Sequence, residues 1–293
     1  MNTIVLGTYE HALYGVRLSV NSSAHPSSSH EHGLKTVFAS EAHNGPVKSL
    51  CATDAGDRLV SGGSDEIIRI YDTSKVTEFG TLHKHSGAVT CMKFWEALSP
   101  PLSASEELKE PPKHNKKGCY LLSAGEDGNV LVWDVRSNWD CLAKLKGHKG
   151  AVNDVDVHWS GRVALSVGHD STLRVWDLSK GRVLAVTRRL TEEATRVCWR
   201  PSGDGYVVVQ QSAITLFDMV AVIADEDDRM ARSCEISRRQ SAFCACASYR
   251  SERDSGHFPQ GSLVCGGCED NKVHIWNVDS GACVFSFGGH NAR

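Results

Sequence analysis

The chain has 293 residues, of which 41% are hydrophobic and 23% charged, and its formal net charge is −3. This length suits one large all-β domain or two ordinary domains, and the weak charge excludes a protein that coats nucleic acid or an anionic membrane through net charge alone. The N-terminus lacks a basic region followed by an apolar run, and no apolar stretch approaches the roughly 20 residues that span a bilayer. We therefore expect a soluble intracellular protein without a membrane partner, whose 11 cysteines are reduced.

The first segments along the chain are strand-like. TIVLGTY, LYGVRLSV and KTVFAS are short runs rich in β-branched and aromatic residues, and they make up a partial unit over residues 3–40. The polar stretch at 21–32, with several serines and histidines, lies within this unit and predicts a loop. The sequence thus predicts a first unit of three strands.

Two landmarks recur after residue 40. The first is an aromatic residue followed by an acid or amide, and the second is a histidine followed by a glycine turn, at His43, His85 and His148. Where no insertion intervenes, the period is roughly 40 residues, which is typical of four-stranded repeat units. The aromatic pairs are Tyr71-Asp72, Trp133-Asp134, Trp176-Asp177, Phe217-Asp218 and Trp276-Asn277. The predicted repeats run over about 41–82, 83–145, 146–188, 189–236 and 237–288.

The segments between the landmarks have β patterns. RVALSV, TLRVWDL, YLLSAG and KVHIWNV are short apolar runs bounded by Gly, Asp, Asn and Ser, which tight turns require. The insertion at 97–117 holds four of the eight prolines, so it predicts an exposed loop inside the second repeat. No segment shows a helical period, and the sequence therefore predicts an all-β fold.

The third repeat, GHKGAVNDVDVHWSGRVALSVGHDSTLRVWD, resembles a WD repeat almost throughout. In that family a histidine, a serine or threonine, an aspartate and a tryptophan form a hydrogen-bonded network in each blade. The fourth repeat departs, since it lacks the histidine and carries Gln211 in place of the aspartate. The resemblance implies a network of His43, Ser61, Asp65 and Tyr71; of His85, Ser123, Asp127 and Trp133; of His148, Ser166, Asp170 and Trp176; and of Asp270 and Trp276.

The WD resemblance also implies a β-propeller. About six blades of an expected seven are present, namely the partial unit and five repeats, and Gly289-His290 is the landmark that begins another copy. We therefore expect one propeller domain over residues 1–293 whose C-terminal blade is truncated. Because such a ring leaves a sheet edge unpaired, we expect that edge to favour aggregation unless a partner covers it.

Longer stretches resemble one branch of the family. IVLGTYEHALYGVRLSV, KHSGAVTCMKFW, LLSAGEDGNVLVWD and GRVLAVTRRL look like the PAK-interacting-protein-like family, whose fungal member is a nucleolar factor. The resemblance implies a non-enzymatic scaffold of large (60S) ribosomal subunit biogenesis and pre-rRNA processing in the nucleolus. Its partners would be pre-60S assembly factors and ribosomal RNA. The alternative function is that of a negative regulator that binds a p21-activated protein kinase.

Enzymatic and metal chemistry are less favoured. The chain has no Gly-rich phosphate loop, no G-x-S-x-G and no dinucleotide fingerprint, and Ser–His–Asp sets that repeat at blade spacing favour a structural network over a triad. A zinc site would require two C-x₂-C pairs, whereas one pair here is C-x-C, which is typical of a strand. The cysteines concerned are Cys244, Cys246, Cys265 and Cys268. We expect no catalytic residue, metal, cofactor or small-molecule substrate.

A further alternative rests on four residues. The run WDVR, with Trp133, Asp134 and Arg136, matches the W-D-x-R pattern by which some WD proteins dock on a cullin-type ubiquitin ligase adaptor. The other repeats lack the arginine. The second alternative function is therefore a ligase substrate receptor.

Overall fold

Every sheet is a meander, because each strand pairs antiparallel with the next strand of the chain. The computed structural model describes residues 3–20, 32–96, 119–200, 203–210, 214–218, 263–267, 272–277 and 282–288. These residues form strands, turns and bends and no helix, which confirms the all-β prediction. The insertion predicted at 97–117 and residues 219–262, which belong to the fourth and fifth repeats, lie outside the described ranges.

The described strands belong to six sheets, numbered here in chain order. Sheet I contains β1 (Thr3–Gly7), β2 (Ala12–Val20) and β3 (His32–Glu41). Sheet II contains β4 (Val47–Ala52), β5 (Arg58–Gly63), β6 (Ile68–Asp72) and β7 (Thr77–Leu82), and sheet III contains β8 (Val89–Glu96), β9 (Cys119–Gly125), β10 (Asn129–Asp134) and β11 (Asp140–Lys146). Sheet IV contains β12 (Val152–Val157), β13 (Val163–Gly168), β14 (Thr172–Asp177) and β15 (Arg182–Arg189). Sheet V contains β16 (Ala194–Trp199), β17 (Gly205–Gln210) and β18 (Ile214–Asp218), and sheet VI contains β19 (Leu263–Gly267), β20 (Lys272–Asn277) and β21 (Cys283–Gly288).

The strands in the middle of a sheet, such as β13 in sheet IV, are buried on both faces. In β13, Ala164 packs toward sheet III, whereas Leu165 and Val167 pack toward sheet V. A strand covered on both sides needs apolar residues at nearly every position, and this explains why VALSVG reads as a continuous run rather than an alternation.

Consecutive sheets pack face to face, and aliphatic side chains of one sheet meet aromatic side chains of the next. The residues at these junctions include Ile70, Leu121 and Trp133 between sheets II and III, Leu122, Val155 and Trp176 between sheets III and IV, and Leu165, Val197 and Trp199 between sheets IV and V. A single four-stranded sheet cannot cover its own two faces, so each sheet depends on its neighbours. The arrangement is that of a WD β-propeller.

The turns between the first two strands of a sheet differ in what they touch. Gly56 and Gly161 both have φ near +70°, and the amide of each bonds the carbonyl three residues earlier. A Cβ at Gly56 would meet nothing within 4 Å, whereas a Cβ at Gly161 would overlap the indole ring of Trp95 in sheet III. That ring also donates from Nε1 to the carbonyl of Trp159, at 2.9 Å. The turn that contains Gly161 is therefore part of the junction between sheets III and IV.

This difference yields a paired test. Both Gly161→Ala and Gly56→Ala carry the cost of a left-handed alanine, about 1–2 kcal/mol, because both positions have positive φ. Only Gly161→Ala also displaces Trp95, and we expect it to lower the free energy of unfolding further than Gly56→Ala does. Thermal or denaturant unfolding of the two variants measures the difference, and equal losses would contradict the packing described.

Candidate functional site

The most complete polar network of the described chain lies in sheet IV. His148, on the turn before β12, places Nδ1 2.9 Å from Oδ1 of Asp170 and Nε2 2.7 Å from Oγ of Ser166. The Ser166 hydroxyl also accepts a hydrogen bond from Nε1 of Trp176, at 2.8 Å. The network thus links the turn before the first strand to the second and third strands of the same sheet.

Sheets II and III repeat this geometry. His43 contacts Asp65 at 2.8 Å and Ser61 at 2.7 Å, and His85 contacts Asp127 at 3.2 Å and Ser123 at 2.8 Å. Trp133 donates to Ser123 at 2.9 Å, whereas in sheet II the hydroxyl of Tyr71 stands in the tryptophan's place, 3.3 Å from Ser61. The structure thus brings together the predicted members of these two sets.

The fourth and fifth repeats differ. Asp270 and Gln211 lie outside the described residues, while Trp276 is described, and its ring lies 5.5 Å from that of His274. In sheet V, Nε2 of Gln210 donates to the carbonyl of Glu192 at 3.1 Å and to Thr191 at 3.3 Å. This amide ties β17 to the turn before β16 without a histidine. The only feature of the sequence that could have indicated this contact is the glutamine at the end of the apolar run YVVVQ.

The electrostatics favour a neutral imidazole against a charged carboxylate. Burial lowers the pKa of His148 below its ordinary value, although Asp170 opposes that shift. Burial also acts to raise the pKa of Asp170, but hydrogen bonds from the Lys149 amide and from the side chains of His148 and Thr172 outweigh it and bring the pKa to about 2. At neutral pH the neutral histidine therefore donates from Nδ1 to Asp170 and accepts from Ser166 at Nε2.

The chemistry open to these sets is limited by access. A serine, a histidine and an aspartate in this order are the groups of a hydrolytic triad. The Ser166 side chain is 0% exposed, and its oxygen already accepts from the indole of Trp176. A substrate carbonyl has no approach to that oxygen, so the geometry serves structure rather than nucleophilic attack.

The W-D-x-R residues have unequal exposure. The Asp134 carboxylate accepts hydrogen bonds from the amides of Arg136, at 3.0 Å, and Ser137, at 3.3 Å, and so fixes the turn that leads into β11. Asp72 and Asp177 hold the same turn in sheets II and IV. Trp133 is buried in its network, and Arg136 is exposed. Of the three residues, Arg136 is the one that is exposed to solvent.

The sequence analysis did not anticipate the contacts between the first strands of sheets II to V, which we call the inner strands (β4, β8, β12 and β16). Oδ2 of Asp154 accepts from the amide of Val197 at 2.9 Å, and Oδ2 of Asp156 accepts from the amide of Trp199 at 2.7 Å. Two carboxylates of β12 therefore satisfy two backbone donors of β16. The alternation of aspartate and valine in VNDVDV could have placed both carboxylates on one face, but not against the backbone of another repeat.

The same carboxylates also reach the preceding sheet. Oδ1 of Asp154 lies 2.8 Å from Sγ of Cys91, and Oδ1 of Asp156 lies 3.1 Å from Nζ of Lys93, both on β8. On the other side, Oδ1 of Asp154 also lies 3.5 Å from Nη1 of Arg196 on β16. Burial raises the pKa of Asp154, and the Asp156 carboxylate raises the pKa of Lys93. Each aspartate is thus a bridge across three consecutive inner strands.

The cysteine group considered for zinc lies outside the side chains that the structure describes. Within the described part of the chain, no three His, Cys, Asp or Glu side chains come together as a metal site requires. That part also holds no helix with the length and apolar character needed to cross a membrane.

Three segments of the chain match a known repeat family, described as WD domain, G-beta repeat, over residues 34–72, 113–134 and 139–177. The three segments end on Tyr71-Asp72, Trp133-Asp134 and Trp176-Asp177, at the third strands of sheets II, III and IV. The three segments are WD repeats.

The chain is similar to a p21-activated protein kinase-interacting protein 1-like of Danio rerio, with 30% identity over 293 residues that cover 99% of the chain and 65% of the relative. The p21-activated protein kinase-interacting protein 1 of Homo sapiens is 31% identical over 291 residues, which cover 99% of the chain and 62% of the relative. Protein MAK11 of Saccharomyces cerevisiae is 35% identical over 218 residues, which cover 73% of the chain and 51% of that protein. The chain thus spans just under two thirds of the length of these animal relatives.

The network of sheet IV can be tested through its histidine. His148→Ala leaves Ser166 and Asp170 without their shared partner, and a buried polar group left unpaired costs about 1–3 kcal/mol. We expect that loss in the free energy of unfolding at pH 7.5, measured with denaturant. His83→Ala is the control, because His83 is exposed and bonds only Thr81 on its own strand segment.

The pH dependence of that loss separates the network from a simple cavity. The pKa of His148 lies below 6.5 in the fold, so the unfolded chain takes up the proton first as the pH drops below 6.5. The histidine's contribution is complete above pH 6.5 and declines below it. The gap between wild type and His148→Ala should therefore narrow from pH 7.5 to pH 5, whereas a gap that stays constant would contradict a neutral, network-bound imidazole.

Proposed function

We propose that the protein is a non-enzymatic scaffold that acts in the assembly of the large (60S) ribosomal subunit, in the nucleolus. The observation that carries the proposal is the similarity to Protein MAK11 and to the kinase-interacting relatives, together with the resemblance of the repeats to a family whose fungal member assembles that subunit. The partners would be pre-60S assembly factors and ribosomal RNA.

The geometry supports binding rather than catalysis. The serines of the three described networks are fully buried, and their histidines are used by serine and aspartate partners. The residues left to meet other molecules are those of turns and outer strands, such as Arg136, Leu142 and Phe79. A succession of packed sheets joined by exposed turns suits the binding of several partners.

Kinase regulation is the second candidate, and the printed names of the animal relatives favour it. In this reading the same scaffold would bind a p21-activated protein kinase and restrain it. Docking on a cullin-type ligase adaptor is the third candidate, and it is supported by the exposure of Arg136 beside the turn held by Asp134.

Gradient sedimentation of cell extract tests the first candidate. We expect the epitope-tagged chain to co-migrate with particles that contain large-subunit precursor RNA, and to move to light fractions after RNase treatment. Depletion of the protein should lower the amount of mature large subunit relative to the small one. Light fractions alone, with normal subunit ratios after depletion, would contradict the proposal.

The same extract distinguishes the other two candidates. Recovery of a p21-activated kinase with the tagged chain, without precursor RNA, would favour kinase regulation. Recovery of a ligase adaptor that is lost with Arg136→Ala would favour the ligase reading. Lys144→Ala is the matched control for the second comparison, because Lys144 is also an exposed cation of the same repeat.

A further inference from the structure

Arg174 of β14 is a buried cation without a close acceptor among the described residues. It shares the face of sheet IV with Trp176, which packs against sheet III, and it is only 8% exposed. Within the described part of the chain, Nε of Arg174 has no hydrogen-bond partner, and its one ion pair, from Nη2 to Oδ2 of Asp170, spans 4.0 Å. Because a buried charge is costly unless its donors are satisfied, we expect an acceptor beside this guanidinium.

The Asp170 carboxylate is already occupied by closer donors. Oδ1 of Asp170 accepts from Nδ1 of His148 at 2.9 Å and from the hydroxyl of Thr172 at 2.7 Å, and Oδ2 accepts from the amide of Lys149 at 2.9 Å. The 4.0 Å separation from Arg174 is too long for a hydrogen bond. Asp170 therefore offsets part of the charge of the guanidinium but does not satisfy its N–H donors.

Sheet II shows how the chain satisfies an arginine at the same position. Nη1 of Arg69 donates to both carboxylate oxygens of Glu78, at 3.1 and 3.0 Å. Glu78 lies on β7 opposite the aromatic residue of the repeat, and the residue of β15 opposite Trp176 is Val183. The sequence of β15, RVLAVTRR, contains no acid at all. The outer strand of sheet II therefore supplies a counterion, whereas that of sheet IV cannot supply one to Arg174.

The link before β12 passes directly over the guanidinium. A Cβ at Gly147 would lie 2.5 Å from Nη1 of Arg174, so the backbone can approach this closely only because the residue is glycine. Lys146 and Lys149, on either side of this stretch of the link, are both exposed. A ligand that reaches the guanidinium past Gly147 therefore meets two further cations.

Exposed cations continue on the same side of sheet III. Nζ of Lys84 lies 6.0 Å from the centre of the Trp133 ring. Burial lowers the pKa of His85, and the nearby charge of Lys144 acts in the same direction. Glu126, in the turn between β9 and β10, is an exposed acid on this side. The side of sheets III and IV that carries the histidine turns thus presents a row of lysines beside Arg174.

We propose that this side of sheets III and IV binds the phosphate backbone of RNA, with Arg174 as the anchor for one phosphate and Lys144, Lys146 and Lys149 on its neighbours. The planar guanidinium donates two parallel hydrogen bonds to a phosphate, and a row of lysines suits a chain of phosphates. Because the net charge of the chain is −3, affinity depends on this local group of cations.

The exposed side chains favour RNA over an acidic segment of a protein. Protein interfaces have an apolar core. None of the large apolar side chains exposed in the described chain lies within residues 83–88 or 144–151. The site deepens the proposed scaffold role, on which it rests for its biological setting, because it names the surface that contacts the RNA partner.

The test measures binding of a short fluorescent single-stranded RNA to the full chain by anisotropy, over a series of salt concentrations. We expect Arg174→Gln to lower the affinity by about tenfold, since it removes a charge-assisted pair of hydrogen bonds. The slope of log K against log salt should fall by about 0.7, the value for one phosphate contact on a single strand. Arg69→Gln is the matched control, because Arg69 occupies the same position in sheet II and is held by Glu78. It should bind RNA as the wild type does.

Three surface variants keep the test independent of folding. Lys146→Ala and Lys149→Ala change exposed side chains, so each should keep the wild-type melting temperature and still reduce the affinity and the salt slope. Glu126→Gln removes an exposed negative charge on the same side and should strengthen binding. Damage to the fold cannot explain a gain in affinity.

Equal affinity and equal salt slope for the wild type and Arg174→Gln would overturn the proposal. Tighter binding of a polyglutamate peptide than of RNA, lost with Arg174→Gln, would also overturn it and assign the surface to an acidic protein segment. Either result leaves co-migration of the wild-type chain with precursor particles unchanged. Conversely, a chain that binds RNA through Arg174 but stays in light fractions would contradict the scaffold role alone, so the two proposals fail separately.

Discussion

The carboxylates of Asp154 and Asp156 are the contacts on which the succession of sheets depends. Sheets that pack face to face are held by apolar contacts, which are non-directional and allow sliding. The two aspartates add direction, because each accepts from one specific amide of β16. Since Asp154 is buried, an error in register would leave a buried acceptor and a buried donor unpaired. Hydrogen bonds of this kind therefore fix the register of one repeat against the next.

The histidine networks and the inner-strand contacts stabilise different parts of the structure. Each network ties three strands of one sheet together, as His148 does for sheet IV, while the aspartates tie neighbouring sheets together. Both sets bury groups that elsewhere perform catalysis, and both leave those groups saturated with partners. The side chains that remain in contact with solvent in the described structure are those of the turns and outer strands, such as Phe79 and Leu142. This division agrees with the scaffold role that we propose.

Much of the fold could be predicted from the sequence, because its signals are local. The histidine turn, the serine and the aromatic-acid pair recur within one repeat, so His148, Ser166 and Trp176 could be placed together by resemblance. The contacts between repeats could not be predicted in this way. The partner of Asp154 is a backbone amide, and every residue except proline has one, so the sequence does not reveal which residue supplies it.

Hydrogen exchange of β16 in Asp154→Ala and Asp156→Ala variants tests the central claim most directly, read amide by amide at Val197 and Trp199. If the carboxylates hold sheet V against sheet IV, exchange at these two amides accelerates by about tenfold or more, because each loses its acceptor. Exchange in β5 and β6 of sheet II stays at the wild-type rate, since those strands make no contact with either aspartate. Wild-type protection of β16 in both variants would contradict the account.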